Sequence, residues 1–463
     1  MLKKYFGDRK FYKMILLLAI PIMIQNGITN FVNMLDNVMV GQLGTEAMSA
    51  VSIVNNLMFV FNLTVFGAIS SAGIFTAQYH GLGDRNGIRS TFQFKLIIIA
   101  VTGVLGLTAF IFGRDMLIDM FLHDSDSSGD LALTLDYARR YLRIMLIGLF
   151  PYALSQAYAS TLRETEQTFV PMVASIVAVC TNFVFNYIFI FGRFGAPALG
   201  VEGAAIATVI SRFIELLILV LWTHKNKSRC PFIIGAFRSF HISRELTRNV
   251  VSKGLPLMFN EILWSVAVTI VAQSYSTRGL DVVAALNIAN TLNNLFNIVY
   301  IALGSSIAIV IGNLLGAGKL EEAKDTDRKM ITFSVLCSLG MGVILAILSP
   351  FIPLIYNTTD AVRDLATYMM WVVAAVMPFC AFCHASYFTL RSGGKVLVTF
   401  LFDSVYMWCI VVPIAFALSR FTSMSIFLLY PICQGLEILK VTFGAILLKK
   451  TSWVRQLVSK NDA

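Results

Sequence analysis

Segment after segment of this sequence runs for more than about 20 residues with few charges, the length at which a helix crosses the hydrocarbon of a bilayer. A soluble core has no use for helices apolar on every side over that distance. Of the 463 residues, 57% are hydrophobic and 13% charged, where soluble domains carry about 25% charge. The mean hydropathy is +0.75. An ordinary soluble globule is excluded, and a polytopic membrane protein held in a lipid bilayer remains. The net charge of +10 fits a nucleic-acid binder only if its basic residues share a surface. Here they fall in the loops between apolar runs, where they orient a membrane chain, so no nucleic-acid partner is expected.

About twelve helices are expected, over residues 14–40, 47–78, 91–113, 131–160, 170–192, 201–222, 248–275, 281–312, 329–350, 361–389, 395–419 and 425–448. With the N-terminus cytoplasmic, 26 Lys and Arg fall on the cytoplasmic side and 8 on the other, counting Lys95 with the loop after the second helix. The positive-inside rule then places both termini in the cytoplasm of a multi-pass protein of the plasma membrane, the inner membrane in a two-membrane cell. The stretch Met1 to Lys13 is basic but leads into an apolar run too long for a cleavable signal, so it reads as a retained terminus. The seven cysteines are scattered through apolar runs and imply no disulfide framework.

The chain repeats itself. A shift of 235 residues lays Pro21 on Pro256, Met23 on Met258, Gly44 on Gly279, Ala50 on Ala285, Asn55 on Asn290 and Phe61 on Phe296. The same register carries Ser70-Ser71 onto Ser305-Ser306 and Gly81 onto Gly316, and a register shorter by seven or eight residues lays Thr161-Leu162-Arg163 on Thr389-Leu390-Arg391. The expected organisation is therefore an N-lobe, 1–222, a basic cytoplasmic linker, 223–247, and a C-lobe, 248–463. Parallel six-helix halves are a transporter architecture, with substrate in the cleft between halves and access alternating by rocking. Pro21 and Pro256, in the first helix of each half, are candidate hinges.

An ionisable side chain in the bilayer core costs about 2.5 to 3.5 kcal/mol on insertion scales, so each needs a reason. Asp36 shares the first helix with Gln25, Asn26, Asn30, Asn33 and Asn37, the asparagines forming a polar stripe at helical spacing. A carboxylate among amide oxygens can take a proton or a hard cation such as sodium. Glu261 follows Asn260 about 16 Å into the seventh helix, near the midplane. Arg212 with Glu215, and Lys440 with Glu437, are spaced to neutralise each other on one helix face. Asp36, Glu261 and Asp403 are then left unneutralised, which points to cations as substrate and coupling ion. Gln25, Asn26, Asn33, Asn260, Asp403 and His384 are the candidates for a substrate cleft, His384 also as a proton carrier.

Asp36-Asn37-Val38-Met39-Val40-Gly41-Gln42-Leu43-Gly44, the Asn182-to-Gly192 and Ala204-to-Thr208 segments, Pro21, and the Leu-Arg doublets at 162–163 and 390–391 occur in one order. With these motifs the chain resembles the multidrug and toxic compound extrusion (MATE) family, nearest its NorM-like branch, over essentially its whole length. The resemblance implies an all-α membrane protein with twelve transmembrane helices in two pseudo-symmetric six-helix lobes. It also implies export of organic cations, usually amphipathic, in exchange for protons or sodium, with no cofactor. By residue, Asp36, Asn182 and Thr208 match the family's N-lobe cation site, a possible sodium site, and Glu261 matches its helix-7 acidic residue. Asn186 stands where many members carry an aspartate, and no helix-10 aspartate occurs around Cys380 to His384. Asp403 is a candidate to replace it.

Other signals fall short. Cys380-Ala-Phe-Cys383-His384 has the spacing of a haem attachment but lies in an apolar helix, and the glycine pairs at 81–83 and 316–318 complete no phosphate loop. A monomer is expected. Two other readings remain beside the antiporter: a flippase for a lipid-linked or anionic substrate, which calls for basic interior groups, and an intramembrane enzyme, which calls for a clustered nucleophile and base.

Overall fold

Helices account for the fold because a backbone in lipid has to satisfy its own hydrogen bonds. A computed structural model describes residues 4–119, 131–238, 242–356 and 358–459. Among them are fifteen α-helices and no strand: α1 Arg9–Gly41, α2 Thr45–Leu82, α3 Arg85–Phe112, α4 Arg114–Asp119, α5 Leu131–Met145, α6 Leu149–Glu164, α7 Phe169–Phe191, α8 Val201–Lys225, α9 Arg244–Ser276, α10 Leu280–Gly316, α11 Leu320–Leu348, α12 Asp360–Ser392, α13 Val396–Phe400, α14 Val412–Phe421 and α15 Ile426–Lys449. Their ends carry the expected signals. The Asp84 carboxylate accepts from the Asn86 N–H at 2.9 Å to start α3, and Gly192, at φ +65°, closes α7 with its N–H on the Ile188 carbonyl. Leu17, Leu105, Leu221 and Ile347 stand well exposed on their helices, which suits lipid and not water.

Among the described residues, eleven helical spans are long and apolar enough to cross a membrane, by length and composition. The expected helix over 131–160 is the exception, being broken into α5, a 3₁₀ turn at Leu146–Gly148, and α6. Pro151 has no N–H to give the Ile147 carbonyl, and buried Gly148 lets the turn pack against Val209, so the segment tightens there. Between α13 and α14 the backbone winds as two π-helical turns, Leu401–Val405 and Met407–Val411.

Packing divides the chain into two compact units, one of Met1–Met23, Ala77–Gly83 and Leu255–Asn461, the other of Ile24–Thr76 and Asp84–Gly254. Helices α1 and α9 thus change unit partway along, beside Pro21 and Pro256, which lie inside them. The core of the second unit gathers Val54, Phe61, Phe110, Tyr141, Leu142 and Ile190. The first has one core around Tyr275, Phe296, Met369 and Tyr430 and another around Ile15, Ile307, Leu315 and Trp453. In that unit the ends of α2 and α10 cross backbone to backbone. A Cβ on Gly81 would strike the Asn313 backbone and one on Gly316 the Gln78 backbone, pairs that the 235-residue register exchanges. The tail covers the crossing, with Trp453 buried, Gln456 Nε2 donating to the Gly316 carbonyl at 2.9 Å and the Leu457 N–H donating to Gln78 Oε1 at 2.7 Å.

Lys95 is not a loop residue. It is fully buried in α3, ion-paired to Glu164 and donating to Ser160 Oγ at 3.0 Å and Thr161 Oγ1 at 3.1 Å. Three oxygens around one ammonium offset its removal from water.

Candidate functional site

Each unit contains its own polar cluster. In the second unit α7 presents Asn182 and Asn186 one turn apart, both buried, toward Asp36 on α1. The Asn186 amide donates to Asp36 Oδ1 at 2.6 Å and lies 3.1 Å from the Asn182 side-chain amide. Thr208, on α8, lies 3.2 Å from the Asn182 amide and gives its own proton to the Ala204 carbonyl at 3.0 Å. The buried Tyr141 of α5 adds a phenol facing Thr208 and Asp36.

The Asn182 amide is satisfied with its nitrogen toward Asp36, reaching both carboxylate oxygens at 2.9 and 3.1 Å and leaving its oxygen 3.2 Å from the Thr208 hydroxyl. Its oxygen in that place would face the carboxylate oxygens, which repel unless a proton or a cation lies between them. One carboxylate, amide oxygens and hydroxyls form a set for a proton or a loosely held alkali ion. Among the described residues no three His, Cys, Asp or Glu side chains gather as a metal site.

Asn26, Asn30 and Asn37 of the α1 stripe take no part in this ring. Asn30 and Asn37 are exposed, Asn26 is half-buried, and the Asn33 side chain lies outside the described residues. Gln25 is buried in a chain of its own: Arg163 Nη1 donates to Gln25 Oε1 at 3.3 Å, Gln25 Nε2 to Ser175 Oγ at 2.8 Å, and Ser175 to Glu215 at 2.8 Å. Glu215 closes on Arg212 at 3.9 Å, whose guanidinium lies 4.5 Å over the Tyr152 ring.

In the first unit, Glu261 on α9 accepts from the Tyr387 hydroxyl of α12 at 3.0 Å, with the Arg391 charge nearby. The neighbouring Asn260 turns to a different partner, donating to Asp403 Oδ2 at 3.1 Å. Lys440, on α15, takes Asp403 Oδ1 at 2.8 Å. This corrects two expectations: Lys440 is paired across helices with Asp403 and not along its own helix with Glu437, and Asp403 is not unneutralised. The π-helical turn displaces Asp403 from regular α-spacing, which pattern reading along a helix does not anticipate. His384 lies half-buried against the Tyr300 ring, centroids 4.9 Å apart. Tyr141 and the Asp403–Lys440 pair escaped sequence reasoning because their partners are distant in the chain.

Repeated membrane-length helices with single carboxylates in their interior define a class, the polytopic membrane transporter. A family model described as MatE matches residues 21–188 and again 256–417. The chain belongs to that family, which is one of multidrug transporters and not of enzymes. A probable multidrug resistance protein NorM of Thermotoga maritima is 23% identical over 416 residues, 88% of this chain and 86% of that one. A multidrug resistance protein MdtK of Edwardsiella ictaluri is 26% identical over 376 residues, 81% and 79% of the two chains. In fold, the chain is similar to the outward-facing conformation of a multidrug resistance MATE family transporter of the MOP superfamily, with TM-score 0.84, 19% identity, and coverage of 97% of this chain and 98% of that one.

Proposed function

We propose that this chain is a secondary antiporter that exports organic compounds, chiefly cationic and amphipathic, in exchange for protons or sodium, multi-pass in the cytoplasmic membrane with both termini inside, and active as a monomer without a cofactor. The multidrug resistance names of its relatives support the substrate class. The observation that carries the coupling is the company Asp36 keeps. Its hydrogen-bonding neighbours Asn182 and Asn186 are neutral, so no resident cation competes with an incoming proton or sodium ion for the carboxylate.

In this mechanism a proton or sodium ion arriving at Asp36 neutralises the carboxylate and is shared with amide and hydroxyl oxygens of α7 and α8, drawing α1 toward them. Because a ligand shifts a conformational equilibrium only by its differential affinity, the ion favours the state in which those oxygens already converge on Asp36. Helices α1 and α9 transmit the shift by bending near Pro21 and Pro256. Glu261, held by the Tyr387 hydroxyl, is the second acidic contact, for the ion or for the organic cation. An anionic substrate fits less well, since Lys440 and Arg212 are each matched by a carboxylate.

The test is efflux of ethidium from proteoliposomes under sodium and pH gradients imposed separately. Efflux driven by one gradient names the ion, and efflux driven by neither contradicts antiport.

A further inference from the structure

The two units treat their carboxylates in opposite ways. Asp403 has both oxygens engaged, Oδ1 by the Lys440 ammonium at 2.8 Å and Oδ2 by the Asn260 amide at 3.1 Å. The Ser404 hydroxyl, 2.8 Å from both Asn260 Oδ1 and the Asn260 carbonyl, holds that amide from behind. The ammonium is seated too, with Nζ 5.3 Å from the centre of the Phe402 ring and 5.9 Å from that of Tyr406. Among the charged and titratable groups facing the pair, Glu437 comes from α15, Cys383, His384 and Tyr387 from α12, and Glu261 from α9. Lys440 is the cation directly bonded to Asp403.

We propose that Lys440 is a resident cation, occupying at Asp403 the place a mobile ion or the ammonium of a substrate would take and so withdrawing that carboxylate from coupling. The proposal rests on the antiport reading and deepens it: coupling at these two carboxylates runs through Asp36 alone. Lys440 is then a specificity-determining residue. A tethered ammonium surrenders no translational freedom on pairing, so a free sodium ion or organic cation competes with it at a disadvantage. Stability is a poor reason for the pair, because a buried ion pair is worth little more than the apolar residues that could replace it.

The experiment uses the full-length protein with ethidium as the organic cation, measuring ethidium binding in detergent and the dependence of efflux on the driving ion in proteoliposomes. Lys440→Met should expose Asp403, tighten ethidium binding about tenfold and raise the Hill coefficient for the driving ion from about one toward about two. The double variant Asp403→Asn with Lys440→Met removes both charges and should return both readouts to the parent values. A folded Lys440→Met protein with unchanged affinity and ion dependence overturns the proposal, as does loss of ion-driven efflux in the folded double variant. Where Lys440→Met alone fails to fold, the double variant decides: retained coupling supports the proposal and lost coupling overturns it. A parent protein without ion-driven efflux fails the antiport reading instead, and ethidium affinity then decides the role of Lys440.

Discussion

Asp36 and Asp403 are both interior aspartates held by an asparagine of a neighbouring helix, yet only one has a full charge partner in hydrogen-bonding contact. Asp36 is hydrogen-bonded by neutral amides, with the Arg212 charge farther off; Asp403 meets an ammonium and an amide held by Ser404. On the proposed mechanism a carboxylate in a membrane interior is not by itself a coupling site. What matters there is whether a resident cation already occupies it.

The largest effects break the comparison outright. Asp36→Asn should abolish gradient-driven ethidium efflux while the melting temperature in detergent stays close to the parent's, since an amide keeps the shape and loses the charge. Asp403→Asn should act on stability, because it strands the Lys440 ammonium in the interior at a cost of about 3 to 5 kcal/mol. Its thermal unfolding in detergent should show that loss, and adding Lys440→Met should recover most of it. If Asp403→Asn folds as well as the parent and loses coupling, the assignments of the two aspartates are reversed.

Much of the first cluster was legible in the sequence and little of the second. The apolar runs and the 235-residue register define the helices and their repetition, and the segments around Asp36, Asn182 and Thr208 carry family motifs, so their convergence was anticipated. Asn186 was readable as well, one turn beyond Asn182. The Asp403–Lys440 pair was not, because it joins different helices and depends on a π-helical turn that no short pattern announces. Lys95 misled for a similar reason: a lysine near the start of an apolar run reads as a loop charge until its partner Glu164 is brought beside it by packing. The break at Leu146–Gly148 did have a signal, the combination of Gly148 and Pro151, which apolar length alone overrode.

Smaller changes sharpen the comparison. Asn182→Ala removes one amide beside the carboxylate but leaves Asp36 and Asn186, and should weaken the apparent affinity for the driving ion about tenfold or more, read from efflux against ion concentration. Glu261→Gln should weaken ethidium binding or the ion dependence by a few-fold, about 1 kcal/mol, with Tyr387 still bonded to the amide oxygen. Unchanged binding and unchanged coupling would reduce Glu261 to a structural residue.

In the proposed mechanism a cation exchanges at Asp36 and drives export. Ethidium efflux from proteoliposomes, with sodium and pH gradients imposed one at a time on the parent protein and on Asp36→Asn, tests it most directly. The expected result is efflux in the parent under one of the two gradients and none above the leak in the variant. Equal gradient-driven efflux from both proteins would contradict the claim.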